Sequence, residues 1–349
     1  MRKPHLLIIR FSAIGDVAMT VPVVSSLAAQ YPELRITVLS RKFARTFFEN
    51  LAPNVGFMEA DLHGEYKGLK GLNALYRRLL AKKFTAVADF HQVLRSDYLR
   101  MRFQIDKIPV AHINKHRHGK RQLTAQNNKK RVQQPTSFEN YADVLAKLGY
   151  PVTLQFTSIF PPSGGDLRLL PDTIGPKKAF QQWIGIAPFA AHKGKIYPEE
   201  KMQQVVSRLL SEHANARIFF FGGGAHERDV INNWCQKYPR CLNASALCGS
   251  LQGELILMSH LDVMLSMDSA NMHLASLTAT PVVSIWGATH PYAGFMGWNQ
   301  PQENAIQLPM DCRPCSIYGN KPCQRGDYAC LYGISPDMIV ERINHFIHP

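Results

Sequence analysis

The side chains best suited to chemistry lie in four short loops, each between an apolar run and a segment with helical spacing. In the first, Phe11-Ser12-Ala13-Ile14-Gly15-Asp16, the closing carboxylate can act as a general base toward a hydroxyl or cap the helix that follows. The second, Pro188 to Lys195, brings Lys193 and Lys195 to a turn before Tyr197-Pro198. Two ammonium groups there suit a departing diphosphate, or are solvated surface lysines. The third, Phe221-Gly222-Gly223-Gly224-Ala225-His226-Glu227, lets a ligand approach the backbone closely, and Glu227 can accept hydrogen bonds from a ribose or a base. Its spacing is not that of G-x-G-x-x-G. The fourth lies within Leu261 to Pro291, where Ser266-Met267-Asp268-Ser269-Ala270-Asn271 separates an apolar run from Met272, Leu274, Ala275 and Leu277. Asp268, Ser269, Ala270 and His273 then stand where a helix N-terminus offers N–H groups and positive dipole to an anion. The plainer alternative is an N-cap at Asp268 or Ser269 with a surface histidine one turn later.

The elements that must carry these loops alternate. Strands are expected at His5–Arg10, Arg35–Leu39, Phe84–Asp89 and Ile108–Ile113, with helices at Val17–Gln30, Tyr66–Ala81, Val93–Phe103 and Phe138–Leu148. After the linker signal Pro161-Pro162-Ser163-Gly164-Gly165, continued by Leu167 to Ala179, the alternation resumes. Strands are expected at Trp183–Ala187, Arg217–Phe221, Asp262–Ser266 and Val282–Trp286. Helices are expected at Pro198–Glu212, His226–Tyr238, Leu251–Ser259, Ser269–Leu277 and Pro336–Phe346. This is an α/β pattern of two similar parallel-sheet domains, in which loops after strands lie at the carboxyl edge where ligands bind.

Composition sets the surroundings. The chain has 349 residues, 46% apolar and 19% charged, ordinary for a soluble globular protein of two domains. The N-terminal apolar run Leu6–Ile9 is too short for a signal-peptide core, and no stretch approaches a membrane span, so a cytoplasmic protein with seven reduced cysteines is expected. The net charge of +14 is uneven: residues 1–150 hold 25 Lys and Arg against 11 Asp and Glu, and the rest hold 15 of each. A basic half beside a neutral one calls for a polyanion, whether nucleic acid, anionic membrane or phosphorylated substrate. From Lys107 to Arg131 there are eight Lys or Arg, three His and no carboxylate. That segment is either a solvated loop or a clamp in which Lys115, Arg117, Lys120 and Arg121 engage phosphates or carboxylates.

Taken together, IIRFSAIGDVAMTVPVV, FGGGAHE and SMDSANMHLASLTATPVVSIWGATHP resemble the bacterial heptosyltransferases of lipopolysaccharide core assembly, glycosyltransferase family nine. The resemblance spans almost the whole chain. It implies the GT-B arrangement, two Rossmann-like domains facing across a cleft. Residues 1–165 would be the acceptor-binding domain, joined by the C-terminal helix 335–349, and residues 180–334 the nucleotide-sugar-binding domain. It also implies inverting, metal-independent transfer of heptose from ADP-heptose to the inner core of lipopolysaccharide. By the same resemblance Asp16 is the general base, and Lys195, ahead of Tyr197-Pro198, binds the donor diphosphate. Asp268, Ser269 and His273 hold the phosphates and sugar, and Glu227 binds the nucleoside. Ala190 and Ala191 stand where relatives often carry hydroxyls, and Ala270 where they carry glycine, so the donor is less fixed than Asp16 or Lys195. No cofactor is implied beyond the ADP-sugar co-substrate. The expected partners are an anionic lipid-linked oligosaccharide and, peripherally, the cytoplasmic face of the inner membrane.

Cys312, Cys315, Cys323 and Cys330 begin with a zinc-ribbon spacing that the second pair does not repeat. They are buried free thiols, a structural zinc site or a disulfide. Cys235, Cys241 and Cys248 read as core residues. Three other readings compete: the same fold with a different nucleotide sugar, a nicotinamide-dependent oxidoreductase, and a nucleic-acid-binding protein. The second lacks the dinucleotide fingerprint and the third any recognised module.

Overall fold

The computed structural model describes residues 3–347. Its first sheet is built from strands β1 (His5–Ile9), β2 (Arg35–Ser40), β3 (Val55–Glu59), β4 (Ala86–Asp89) and β5 (Val110–His112), in the order β3-β2-β1-β4-β5. The second holds β6 (Gln182–Ala187), β7 (Ala216–Phe220), β8 (Cys241–Asn243), β9 (Val263–Met267), β10 (Val282–Ile285) and β11 (Ala305–Ile306), in the order β11-β10-β9-β6-β7-β8. Every pairing is parallel. Parallel strands joined by crossover helices are covered on both faces. All of β1 and β9 is accordingly buried, and their apolar residues run without alternation.

Each sheet changes direction beside its first strand. β1 lies between β2 and β4, with Ile9 opposite both Leu39 and Asp89. β6 lies between β7 and β9, with Ala187 opposite Ser266. At such a switch point the connections leave toward opposite faces of the sheet and a crevice opens at the carboxyl ends. The loops bearing Asp16, Lys195 and Asp268 all leave the strands that flank these points.

Several boundaries differ from the sequence reading. The helix expected over Val17–Gln30 is two helices, Ile14–Ala18 and Val21–Gln30. Pro22 has no N–H to continue the first helix and sits in the opening turn of the second. Strands β3, β8 and β11, which the sequence reading does not include, are edge strands, the last two only three and two residues long.

The chain forms two units, one holding residues up to Lys115 with 136–159, the other 116–135 and everything from Phe160 onward. The expected first-domain boundary at 165 therefore moves, and most of the basic segment changes unit. It forms a helix, Arg117–Leu123, whose Leu123 is buried. Farther along, Lys129 Nζ donates to the Cys312 and Pro314 carbonyls at 2.7 and 2.9 Å. The C-terminal helix, expected with the first domain, also belongs to the second unit. Pro336–Asn344 packs on the helix Glu199–Glu212 and buries Ile339, Val340 and Ile343 in the second core. Residues 1–2 and 348–349 of the expected domain ranges lie outside the described residues.

Candidate active site

In the first unit Asp16 occupies the opening turn of Ile14–Ala18, and its Oδ2 accepts the Ala13 N–H at 3.1 Å. The side chain thus holds the start of the helix while remaining about one-third exposed. Its direction is set by Arg10, the residue just past β1, whose Nη2 lies 2.8 Å from Asp16 Oδ2. Arg10 is buried, and its other amino group donates to the Phe90 carbonyl at 2.7 Å. Asp89, at the end of neighbouring β4, is fully buried and adds a second negative charge near Arg10. One Asp89 oxygen also accepts from the His91 and Gln92 backbone at 2.8 and 2.9 Å, fixing the start of the next loop.

That loop opens a cavity of about 490 Å³ beside Ser12, with Phe11, Leu62, Val93 and Leu94 as apolar walls and Arg41, His63, His91 and Arg95 as the polar ones. His91 is buried, and its Nδ1 accepts the Phe11 N–H at 3.4 Å. Burial, followed by the positive charges of Arg10 and Lys115, lowers its pKa to about 3. The ring is therefore neutral at ordinary pH, and the cationic charge offered to a ligand comes from the exposed Arg41 and Arg95. Of the four basic residues singled out for an acceptor, only Lys115 belongs to this unit, where its Nζ donates to the Gln92 carbonyl at 2.8 Å. Arg117, Lys120 and Arg121 lie on the short helix of the second unit, with Lys120 Nζ 4.4 Å from the Phe295 ring centre.

In the second unit Lys195 Nζ lies 3.0 Å from Asp268 Oδ2, with both side chains largely withdrawn from solvent. The pair joins the loops after β6 and β9 at the switch point. Ser269 stands at the N-cap position of the helix Ala270–Leu277 without a side-chain capping bond, Ser266 Oγ lies 3.2 Å from Ser269 Oγ, and His273 is buried in the same helix. The first-turn N–H groups of that helix have no intrahelical acceptors and leave a positive end beside Asp268. Ala190 is half-buried and Ala191 exposed on the approach to Lys195. Glu227 serves the glycine loop, its Oε2 accepting from Gly223 and Gly224 at 2.8 and 3.1 Å.

The cysteine-bearing loop supports this site. Gly319 holds φ at +74°, and a Cβ there would come within 2.6 Å of Lys195 Cγ, so the lysine stem lies over a position open to glycine. Arg313 is buried and donates to the carbonyls of Gly287, Trp286 and Thr289 at 2.5, 3.0 and 2.9 Å. It ties the loop to the end of β10. Cys312, Cys315, Cys323 and Cys330 line one narrow cavity and are free cysteines. Burial raises the Cys315 thiol and pushes that of Cys330 up to about 11. Among the described residues no group of three or more His, Cys, Asp or Glu is arranged to hold a metal ion, the four-cysteine zinc site included.

Arg41, His91, Arg95, Arg313 and Gly319 carry no sequence signal, and Arg10 offers only a hint, as a charge ending an apolar strand six residues before Asp16.

Residues 72–323 match a family model described as glycosyltransferase family 9 (heptosyltransferase). The chain is 24% identical over 312 residues to lipopolysaccharide heptosyltransferase 3 of Escherichia coli, covering 84% of this chain and 85% of that protein. A family 9 glycosyltransferase from Veillonella parvula matches with a TM-score of 0.72 at 17% identity, over 99% of this chain and 98% of that one. The Escherichia coli heptosyltransferase WaaC, solved with ADP, matches with a TM-score of 0.67 at 17% identity, over 98% and 100%. These structures share the fold, two Rossmann-like domains of the GT-B class.

Proposed function

Because the chain belongs to glycosyltransferase family 9 (heptosyltransferase), we propose that it moves heptose from ADP-heptose to the inner core of lipopolysaccharide, inverting the anomeric centre. The acceptor is Kdo-lipid A or its heptosylated form. The observation that carries this reading is the charge at the two switch points: a carboxylate about one-third exposed at the first, and a lysine with a helix N-terminus at the second.

In the proposed reaction Asp16 takes the acceptor hydroxyl proton as that oxygen bonds to the anomeric carbon. The bond from that carbon to the diphosphate oxygen breaks, and its electron pair leaves with ADP. Lys195 and the first-turn N–H groups of Ala270–Leu277 offset the charge that develops on the leaving group. Asp268 holds the lysine in place, and Ser269 and His273 stand at the phosphate and sugar end. Glu227, by ordering the glycine loop, shapes the nucleoside edge. In this scheme no metal ion is needed to neutralise the diphosphate.

The acceptor half of the reading rests on Arg41 and Arg95 at the cavity beside Asp16. Two guanidinium groups there suit the carboxylates and phosphates of an anionic core oligosaccharide. Such an acceptor is lipid-linked, which puts the enzyme at the cytoplasmic face of the inner membrane. Among the described residues no helix is long and apolar enough to cross a membrane, and the attachment proposed is peripheral.

Thermal-shift measurements with ADP, UDP, GDP and CMP test the donor. Saturating ADP should stabilise by about 3 kcal/mol at a hundredfold excess over its Kd, and the other nucleotides much less. Stabilisation by UDP instead would assign a different sugar.

A further inference from the structure

We propose that the outer face of the helix Leu94–Ile105 docks on an anionic lipid surface. The helix is apolar on two sides. Ser96, Leu99 and Phe103 are buried inward. Leu94, Met101 and Ile105, at i, i+7 and i+11, form a second stripe facing out, 88%, 49% and 68% exposed, flanked by Tyr98, which leans back on the core. A helix whose only task is to cover a sheet carries polar residues there. The neighbouring helix Gly68–Leu80, joined to it by Arg102 Nη1 to Asn73 Oδ1 at 2.9 Å, adds Leu69 at 72% exposure.

The charge around the stripe selects the partner. The two helices carry Lys70, Arg77, Arg78, Arg95, Arg100 and Arg102 against one acid, Asp97, which is occupied by Arg100 at 2.9 Å. Aliphatic side chains rimmed by cations match the headgroup and acyl boundary of an anionic bilayer. A second copy fits poorly, because a two-fold contact would set these cations against their own equivalents. The stripe also begins at the cavity: Leu94 belongs to both, and Arg95 beside it lines the cavity. A sugar chain rising from the bilayer would enter at that end. This last point rests on the acceptor reading above, whereas the stripe and its charge do not.

The test uses the full chain and flotation with two kinds of vesicle, phosphatidylcholine alone and equal parts phosphatidylcholine and phosphatidylglycerol. The wild type should bind the anionic vesicles and not the neutral ones. Met101→Gln/Ile105→Gln should weaken that binding roughly tenfold or more, because each aliphatic group removed from the lipid forfeits its burial. The double variant should keep its melting temperature and its turnover on a water-soluble, delipidated acceptor. Unchanged vesicle binding in the double variant would overturn the proposal. So would a wild-type dimer in sedimentation that the double variant dissociates. Failure of the wild type to turn over the soluble acceptor would count against the enzymatic reading and leave the vesicle result standing.

Discussion

Arg10 and Asp16 form an unequal ion pair: the guanidinium is buried and the carboxylate, 2.8 Å away, is about one-third open to solvent. The buried half is anchored to the Phe90 carbonyl and lies near a second acid, Asp89. Arg10 thus fixes the direction of Asp16 from its buried side. In the reaction proposed above, a carboxylate held in this way would need little reorganisation to meet a hydroxyl.

Arg10→Met leaves Asp16 and the fully buried Asp89 without their shared cation. We expect a loss of roughly 2–4 kcal/mol in urea unfolding of the first unit and at least a tenfold fall in kcat, with ADP affinity unchanged. Equal loss of ADP binding would show that the residue only maintains the fold.

Lys195→Met removes the cation facing Asp268. ADP affinity measured by calorimetry should fall roughly 10- to 100-fold, the scale of a charge-assisted phosphate contact. Asp268→Asn should cost less, because it leaves the lysine charge in place. Full ADP affinity in the Lys195 variant would remove the lysine from the donor site.

The pH dependence of stability follows from His91. Its ring stays neutral in the folded chain down to about pH 3 but takes a proton near 6.5 when unfolded. Between those values the unfolded state binds more protons, so stability falls as pH drops, by at most about 1.4 kcal/mol per unit. His290, lowered to about 4 by burial and then by Arg313 and Arg131, acts in the same direction in the second unit. Urea midpoints of His91→Gln should show a shallower acid slope than the wild type. Parallel slopes would mean that the imidazole takes up its proton as readily in the fold as in the unfolded chain.

Much of the architecture was legible because its central strands are buried on both faces. Continuous apolar runs mark β1, β6 and β9, and the polar interruption after each marks a loop at the carboxyl edge. This is why Asp16, Lys195 and Asp268 could be singled out from types and spacing. What escaped depends on contacts distant in sequence. Lys129 is held by carbonyls 183 and 185 residues away, so the unit it joins has no local signature. The C-terminal helix shows an apolar face at Ile339, Val340 and Ile343 that demands a partner without naming which core supplies it. Nor does any local pattern reveal that Arg10 turns toward Asp16 or that Lys195 lies over Gly319. The helix break at Pro22 is hidden by an apolar period that runs across it.

The central claim is that Asp16 is the base in transfer from ADP-heptose. Single-turnover transfer by Asp16→Asn, with ADP affinity measured on the same preparation, tests it most directly. Asparagine keeps the shape and can accept from Ala13 N–H but cannot take the proton. The account predicts a rate lowered by roughly 10²–10⁴ with ADP binding unchanged. A transfer rate close to that of the wild type would contradict it.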